Sequence, residues 1–347
     1  MESTQKLAIS PERKPASIDR RLSVAPMMDW TDRHCRYLHR LFAPHALLYT
    51  EMIVSAAIVR GNAARLLEHD PSEHPVALQL GGCDPDELAQ AARIGESAGY
   101  AEINLNVGCP SDRVKSGAFG ACLMGNPSLV ADCVLRMREA VQVPVTVKCR
   151  IGIDDRDDYE FFSLFVDAVA AAGVDALIVH ARAAILGGLT RPGLSPKENR
   201  EIPPLKYDYV HRLKLERATL PIVINGGFVE SSSSLVQLSE GLDGVMLGRA
   251  AYHRPALLAE LERAVVNPAW HIPQPWEIIA NMVPYAQRQA RMGVRLHSIT
   301  RHMLGLMAGR EGARAWRRFL SEVAGRPEAT PDVLFSALPI LNPGLAA

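Results

Sequence analysis

Five polar side chains stand at the ends of short apolar runs that are spread along the chain. They are Gln79, Asn106, Lys148, His180 and Asn225. Amide, ammonium and imidazole groups can all bind the polar atoms of a ligand. Each such group that is buried without a partner costs about 1–3 kcal/mol, so five of them in one place would indicate a polar ligand.

A single cysteine, Cys109, follows alternating asparagines in the stretch "EINLNVGCPSDRVKSGAFGACLM" (102–124). The chain has six cysteines, but it shows no feature of an exported protein, no C-x-x-C pair and no His/Cys cluster with zinc spacing. We therefore predict no metal site and expect most of the cysteines to be small buried hydrophobic residues. The glycine-rich segment 115–125 has the composition of a mobile lid or an ordinary loop, and it lacks the G-K-[ST] ending of a nucleotide P-loop.

Eight β-like runs alternate with amphipathic helical stretches and would carry these residues. The runs span residues 22–27, 47–52, 75–81, 102–108, 144–150, 176–182, 221–227 and 244–250. Because this order needs no long irregular crossover, it favours an α/β fold of the (β/α)8 TIM barrel type over an open doubly wound sheet. We assign the barrel to residues 21–268 and a disordered tail to residues 1–20.

Each β-like run has an apolar face and a more polar face, because side chains alternate across a strand. In the run 102–108, Ile103, Leu105 and Val107 share one face, and Asn104 and Asn106 share the other. If the apolar faces pack on the helices, the five polar side chains point into the barrel at the C-terminal ends of the strands. Barrel enzymes build their active sites at that end.

The last two runs end in residues suited to a phosphate group. Gly226 and Gly227 follow Asn225, and Gly248 and Arg249 end the final run. Glycines let backbone N–H groups approach a phosphate closely, and an arginine adds positive charge. With a phosphate at one end of the site and a polar ring system at the other, flavin mononucleotide (FMN) fits the outline.

The C-terminal region, residues 269–347, shows helical patterns only, among them the run "HSITRHMLGLMAGR" (297–310). From Trp276 to the end the chain has nine arginines, no lysine and five acids, a net charge of +4, although the whole chain is neutral. We predict a small all-helical domain that binds RNA through two basic ridges. The arginines with helical spacing in these ridges are Arg288, Arg291 and Arg295, then Arg310, Arg314, Arg317 and Arg318.

Targeting signals are absent from the sequence pattern. No apolar run approaches the roughly 18 residues that a membrane span needs. The first residues, "MESTQKLAISPERKPASIDRR", have no apolar signal core. We therefore expect a soluble, cytoplasmic protein without a membrane partner, and we expect a monomer.

Several motifs along the chain resemble the tRNA-dihydrouridine synthase family, and most closely its DusA subfamily. They are "APMMDWTDRHCR" (25–36), "NLNVGCPSDRVKSGAFGACLM" (104–124), "SPKENREIPPL" (195–205), "DGVMLGRAAY" (243–252) and "TRHMLGLMAGREGARAWRRFLSE" (300–322). The resemblance implies an FMN-containing barrel followed by a helical RNA-binding domain. Such enzymes reduce the C5–C6 double bond of uridines in the tRNA D loop, and DusA members are associated with uridines 20 and 20a.

The resemblance also implies roles for individual residues. Asn106 would lie near the flavin and the target base, Lys148 would stabilise the anionic reduced ring, and Cys109 would donate the proton that accompanies the hydride. A thiol near its usual pKa of about 8.5 is mostly protonated at neutral pH and can donate. The implied flavin contacts are Pro26, Met27, Met28, Gln79, Lys148, His180, Asn225, Gly226, Gly227, Gly248 and Arg249.

The reductant and the RNA contacts also follow from the resemblance. NADPH, or NADH, would reduce the flavin in the same cleft before RNA enters, because no G-x-G-x-x-G fingerprint of a nicotinamide domain is present. Lys197, Arg200 and Arg301 fall in the motifs that contact tRNA. One segment departs from the family pattern: "AAILGGLTRPGL" (183–194) is a few residues longer.

Three other functions remain open at the level of sequence. A dihydroorotate-dehydrogenase-like FMN barrel would also act on a pyrimidine C5–C6 bond, but it would have no use for an arginine-rich helical domain. An aldolase could form a Schiff base on Lys148, and such a protein would be colourless. A purely RNA-binding or chaperone module would keep every function after Cys109→Ala.

Overall fold

Eight parallel strands close into a barrel in the computed structural model, which describes residues 18–111, 117–187 and 192–342. The sheet order is β2-β1-β9-β8-β7-β6-β5-β4-β3, and β2 also pairs with β4, which closes the ring. The predicted TIM barrel is thereby confirmed. The strands are β1 Leu22–Val24, β2 Leu47–Tyr49, β3 Ile53–Val54, β4 Val76–Gly81, β5 Glu102–Val107, β6 Val145–Arg150, β7 Ala176–His180, β8 Ile222–Asn225 and β9 Gly244–Leu247.

The short strand β3 is an addition that the sequence pattern did not predict. It pairs with the end of β4, through Ile53 with Leu80 and Val54 with Gly81, beyond the point where β2 has left the sheet. The run predicted over 47–52 therefore ends early as a strand, at Tyr49. Its continuation leads directly into the helix that follows β3.

Helices surround the barrel, and polar caps set where many of them begin. Asp84, Asn126 and Asp158 each accept a backbone N–H three residues ahead, which satisfies one of the unpaired donors of a helix N-terminus. The helices are α1 Arg33–Phe42, α2 Ser55–Arg60, α3 Ala63–Leu66, α4 Pro85–Ser97, α5 Pro127–Ala140, α6 Tyr159–Ala171, α7 Tyr207–Glu216, α8 Ser231–Ser239, α9 Arg249–His253 and α10 Ala256–Leu261. Single turns of 3-10 helix span Pro71–Glu73, Gly120–Gly125 and Glu198–Arg200, and a π-helical turn spans Glu262–Val266.

The alternation of the strands sorts the interior into two layers, as the sequence pattern predicts. The outward residues of β5, Ile103, Leu105 and Val107, join the large apolar layer between the strands and the helices. A second, smaller apolar cluster fills the inside of the barrel. Its members are Ala25, Leu47, Tyr49, Ala77, Ile178, Val223 and Met246, packed against Ile18.

The C-terminal region is helical, as predicted, but one of its helices is shorter than the sequence pattern indicates. The helical run over 297–310 continues only to Thr300, with a single 3-10 turn after it. A Cβ at Gly305 would lie 2.5 Å from the backbone oxygen of His253, so the segment after this turn packs directly on the backbone of α9. The elements are α11 Pro275–Arg291, α12 Leu296–Thr300, the 3-10 turns Arg301–Met303 and Pro331–Ala337, α13 Ala313–Glu322 and α14 Leu338–Leu341.

Helix α1 connects the barrel to the C-terminal helices. His34 Nδ1 lies 2.7 Å from the hydroxyl of Tyr285, and the rings of Tyr37 and Tyr285 stack at 3.8 Å. At the start of α1, Asp32 Oδ2 lies 2.9 Å from His302 Nε2. These contacts place the C-terminal helices beside the loop that follows β1, at the same end of the barrel as the C-termini of the strands.

The predicted boundary between the tail and the barrel can be compared with the described residues. The boundary at residue 21 assigns Arg20 to the tail, whereas in the structure Arg20 forms an ion pair with Glu102 on the barrel floor. Ile18, also assigned to the tail, packs against the apolar cluster inside the barrel. Residues 1–17, the segments 112–116 and 188–191, and the end of the predicted helical domain after residue 342 lie outside the described residues.

Candidate active site

Strand register brings the predicted polar side chains together at the C-terminal rim. Asn106 of β5 is paired with Lys148 of β6, and His180 of β7 is paired with Asn225 of β8. Gln79 of β4 is paired with Asn104, which precedes Asn106 on the same face of β5. The five side chains therefore belong to one ring inside the barrel.

Lys148 and Asn225 contact each other across the ring. The Lys148 ammonium donates to Asn225 Oδ1 at 3.1 Å, and Asn225 Nδ2 in turn donates to the carbonyl of Met246 at 2.8 Å. Within the described residues, no carboxylate forms an ion pair with Lys148. Burial, and next the nearby Arg150 guanidinium, lower the pKa of Lys148 from its usual 10.5 to about 8.

Cys109 is held by its backbone rather than by its thiol. Asn106 Oδ1 accepts the N–H groups of Gly108 and Cys109 at 3.1 and 3.0 Å, and the thiol lies 3.4 Å from Ser111 Oγ. The carbonyl of Cys109 accepts the N–H of Ala121 at 2.9 Å, in the described part of the predicted lid segment 115–125. The side chain thus remains at the mouth of the barrel, free to face a substrate.

His180 remains neutral at physiological pH. Burial, and next the positive charge of Arg150, lower its pKa well below 6.5. Its ring lies against the turn that follows β8, since a Cβ at Gly226 would be 2.8 Å from His180 Cδ2. Gly226 and Gly227 have φ angles of 120° and 79°, a left-handed conformation that glycine adopts without steric cost.

The predicted phosphate residues lie beside this turn. Gly248 has open space where a Cβ would stand, and α9 begins immediately after it at Arg249. The Arg249 guanidinium forms an exposed ion pair with Glu201 at 2.7 Å. Backbone N–H groups and a positive charge are therefore close together at this side of the rim.

The predicted RNA-contact residues Lys197 and Arg200 are exposed on a 3-10 turn, Glu198–Arg200. The turn is fixed by Asn199, which is fully buried and exchanges hydrogen bonds of 2.7 and 3.1 Å with the backbone of Ile185. The neutral amide thus anchors a turn whose two basic side chains face solvent.

The loop after β1 carries three further predicted contacts, Pro26, Met27 and Met28. The Met27 N–H donates to Thr31 Oγ1 at 2.9 Å, which tightens the loop, and Met28 is 54% exposed. The Arg301 guanidinium donates to the carbonyl of Asp29. The half-buried Arg301 therefore lies where the barrel rim meets the C-terminal helices.

Arg150 is a central residue that the sequence analysis did not single out. It is 3% exposed, and its guanidinium donates to the carbonyls of Gly108, Ala183 and Asn199 at 2.9, 3.0 and 2.9 Å. These carbonyls belong to the loops after β5 and β7. The sequence did contain one signal that could have pointed to Arg150, because Arg150 and Lys148 lie on the same face of β6.

Metal and membrane features are not found in the described part of the chain. No cluster of three or more His, Cys, Asp or Glu side chains there could hold a metal ion. None of the described helices is both long and apolar enough to span a bilayer.

The whole barrel and most of the C-terminal region match one known family. The family model described as "Dihydrouridine synthase (Dus)" matches residues 23–338. The chain belongs to the dihydrouridine synthase family. In this dihydrouridine synthase, the motifs that resemble the family include the loops after β1 and β5, which lie at the C-terminal rim of the barrel.

Individual relatives are similar over nearly the full length of both chains. A protein of Xanthomonas axonopodis pv. citri (strain 306) is 54% identical over 333 residues, 96% of each chain. One of Escherichia coli (strain K12) is 50% identical over 342 residues, 98% of this chain and 97% of its own. One of Yersinia pestis is 49% identical over 344 residues, which are 99% of this chain and 98% of its own. All three are named tRNA-dihydrouridine(20/20a) synthase.

Proposed function

We propose that this dihydrouridine synthase reduces the C5–C6 double bond of uridines 20 and 20a in the D loop of tRNA, with FMN as cofactor and NADPH as reductant. The observation that carries the proposal is the placement of Cys109. Its backbone is fixed on Asn106, whose register partner is Lys148. A thiol that could donate a proton and an ammonium group that could bind a ligand thus lie near each other, and the names of the relatives supply the substrate class.

The residues of the rim fit FMN. A half-buried ammonium that lacks a carboxylate partner, as Lys148 does within the described residues, favours a ligand with electron-rich oxygen atoms. On the far side, Gly226 and Gly227 form a tight turn, Gly248 has open space where a Cβ would stand, and Arg249 adds charge for a phosphate. Lys148, Asn225 and Gln79 would therefore hold the ring system, and the glycine turns would hold the phosphate.

Bound reduced flavin supplies the hydride for the uracil ring. The contribution of the chain is to hold the second hydrogen, as a proton on Cys109 Sγ, next to the neighbouring carbon. Asn106 positions the Cys109 backbone, while Arg150 ties the loops after β5 and β7 together around the cleft. His180, being neutral, adds a hydrogen-bonding group without further positive charge.

A tRNA substrate would be bound by the basic side chains around the cleft and on the C-terminal helices. Lys197, Arg200 and Arg301 would contact the RNA near the target base. The target uridine must leave its stack to reach the cleft, which costs a few kcal/mol that a wide phosphate interface offsets. A second substrate, NADPH, would use the same cleft before the RNA enters. A tRNA substrate also implies work in the cytoplasm.

The pH dependence of flavin binding follows from the lowered pKa of Lys148. Below pH 8 the ammonium is charged, and above pH 8 it loses its proton, because its pKa is about 8 in the free site. A ligand that binds the charged form should bind more weakly above pH 8, by up to about tenfold per pH unit. We expect this slope in FMN dissociation constants measured by flavin fluorescence from pH 7 to pH 9.5.

Two variants serve as controls for this pH effect. Lys148→Met should weaken FMN binding by about 10-fold or more and remove the slope, because a hydrogen bond to a charged group is lost. Lys197→Met, which removes an exposed lysine, should keep the wild-type affinity and slope. A wild-type affinity that stays constant across pH 8 would contradict the role of Lys148.

The proposed function is tested first on purified protein. We expect a yellow protein with flavin absorbance, and NADPH oxidation that is stimulated by unmodified tRNA but not by orotate or free uridine. Turnover of orotate without turnover of tRNA would indicate a dihydroorotate-dehydrogenase-like enzyme instead. A colourless protein in which borohydride traps a carbonyl substrate on Lys148 would indicate an aldolase.

A further inference from the structure

A continuous row of hydrogen bonds crosses the barrel interior from Cys109 to the floor. Each link donates in the same direction, towards Glu102. The links are Cys109 N to Asn106 Oδ1 (3.0 Å), Asn106 Nδ2 to Gln79 Oε1 (2.8 Å), Gln79 Nε2 to Asn104 Oδ1 (2.8 Å), Asn104 Nδ2 to Thr146 Oγ1 (2.9 Å) and Thr146 Oγ1 to Glu102 Oε1 (2.6 Å). We call these residues the amide row.

The floor end of the amide row accepts hydrogen bonds only. Glu102 is fully buried, and its carboxylate also receives Arg20 Nε at 2.9 Å and the Tyr49 hydroxyl at 2.8 Å. Burial raises the pKa of Tyr49 well above its usual value, so that hydroxyl stays protonated and donates. Because this carboxylate only accepts, Thr146 donates its single hydroxyl proton to Glu102, and its oxygen is left to accept from Asn104 Nδ2.

The rim end of the amide row donates only, because it is the backbone N–H of Cys109. Between the two ends stand three side-chain amides, each of which could bond in either of two orientations related by a half-turn. Gln79 and Asn104 are register partners, as are Asn104 and Thr146, so the links join neighbouring strands. An acceptor at one end and a donor at the other select one orientation for all three amides.

We propose that Glu102 and Thr146 are positioning residues: from the barrel floor they fix the orientation of the Asn106 amide, and through it the backbone that holds Cys109. The effect on uridine reduction rests on the function proposed above. The effect on the loop does not, since it concerns the hydrogen bonds of this chain alone. Neither residue touches the cleft, and the sequence analysis did not single out either of them as a site residue.

Loss of the Thr146 hydroxyl would release the row at its fourth link. Asn104 would then be free to turn over, and Gln79 and Asn106 could follow. In the structure, the backbone N–H groups of Gly108 and Cys109 donate to the side-chain oxygen of Asn106. If the Asn106 amide were reversed, its own N–H groups would face these two N–H groups instead. The loop would lose two hydrogen bonds, each worth about 1 kcal/mol.

The test compares Thr146→Val with Thr146→Ser in the flavin-loaded, full-length protein. Valine has nearly the shape of threonine but no hydroxyl, whereas serine keeps the hydroxyl. For Thr146→Val we expect backbone amides 108–109 to exchange hydrogen about fivefold faster or more, read by mass spectrometry. We also expect kcat for tRNA to fall about tenfold with KM little changed. Thr146→Ser should match the wild type in all three measurements.

Measurements on a second variant and on the wild type separate the failure of this proposal from the failure of the proposed function. Glu102→Gln, which can donate as well as accept, should raise exchange at 108–109 in the same way. Wild-type exchange and wild-type kcat in both Thr146→Val and Glu102→Gln would overturn the proposal, as would an equal loss in Thr146→Ser. If the wild type reduces no uridine, the proposed function fails, but the exchange rates still decide whether the amide row positions Cys109.

Discussion

Replacing Cys109 with alanine is expected to lower the rate of uridine reduction by about 10²-fold or more, while FMN content and flavin reduction by NADPH stay at wild-type levels. The reason lies in how the residue is held. Its backbone is fixed by Asn106 and Ala121, and among the described residues the thiol forms a hydrogen bond with Ser111 only, so alanine removes the proton donor and leaves the loop in place. Stopped-flow absorbance would follow each half-reaction separately.

Cys122 provides a matched control for the thiol. It lies in the next turn of the same loop region, where its thiol donates to the carbonyl of Phe119 at 3.0 Å. Cys122→Ala should keep uridine reduction within about threefold of the wild type, because no proton donor is lost. If flavin reduction and uridine reduction fell together in Cys109→Ala, the proton-donor role would be wrong.

The second large effect is expected on the basic face of α13. Trp316 and Leu320 are buried, whereas Arg314, Arg317 and Arg318 are exposed. These three arginines form no ion pair within the described residues. Changing all three to glutamine should weaken tRNA binding by about tenfold or more at moderate salt. It should also reduce the slope of log K against log salt by about 2, because phosphate contacts are lost.

A control triple removes the same charge from another surface. Arg60, Arg136 and Arg212 lie on helices around the barrel, and each forms an ion pair with a carboxylate, at 2.6, 2.6 and 2.8 Å. Their change to glutamine should leave the salt slope of tRNA binding unchanged. Filter binding across a salt series would compare the two triples, and equal losses in both would reject α13 as part of the RNA interface.

The sequence predicts the barrel and the ring of polar side chains because both follow from local patterns. Alternation along β5 separates Asn104 and Asn106 from their apolar neighbours, and parallel strands place their C-terminal ends on one rim. The meeting of Lys148 and Asn225 is a consequence of these two rules. The family motifs add the proposed role of Cys109 as a proton donor, since spacing alone does not say what a thiol does.

Other features depend on tertiary structure that no local pattern contains. The three carbonyls bound by Arg150 come from two loops whose paths are set by the fold. The link from Thr146 to Glu102 joins two strands through side chains, and it needs both the register and the floor contact of Arg20. The helix predicted over 297–310 was wrong in extent: it ends at Thr300, and the segment after it packs Gly305 against the backbone of α9, a contact that helical periodicity cannot show.

Position-resolved mass spectrometry shows directly whether this dihydrouridine synthase reduces the uridines at positions 20 and 20a of tRNA. Purified, flavin-loaded protein would be incubated with NADPH and an unmodified tRNA transcript that has uridine at both positions and elsewhere in the D loop. We predict that each of these two uridines gains the mass of two hydrogens and that no other nucleotide does. A transcript that gains no mass, or gains it only at other uridines, would contradict the account.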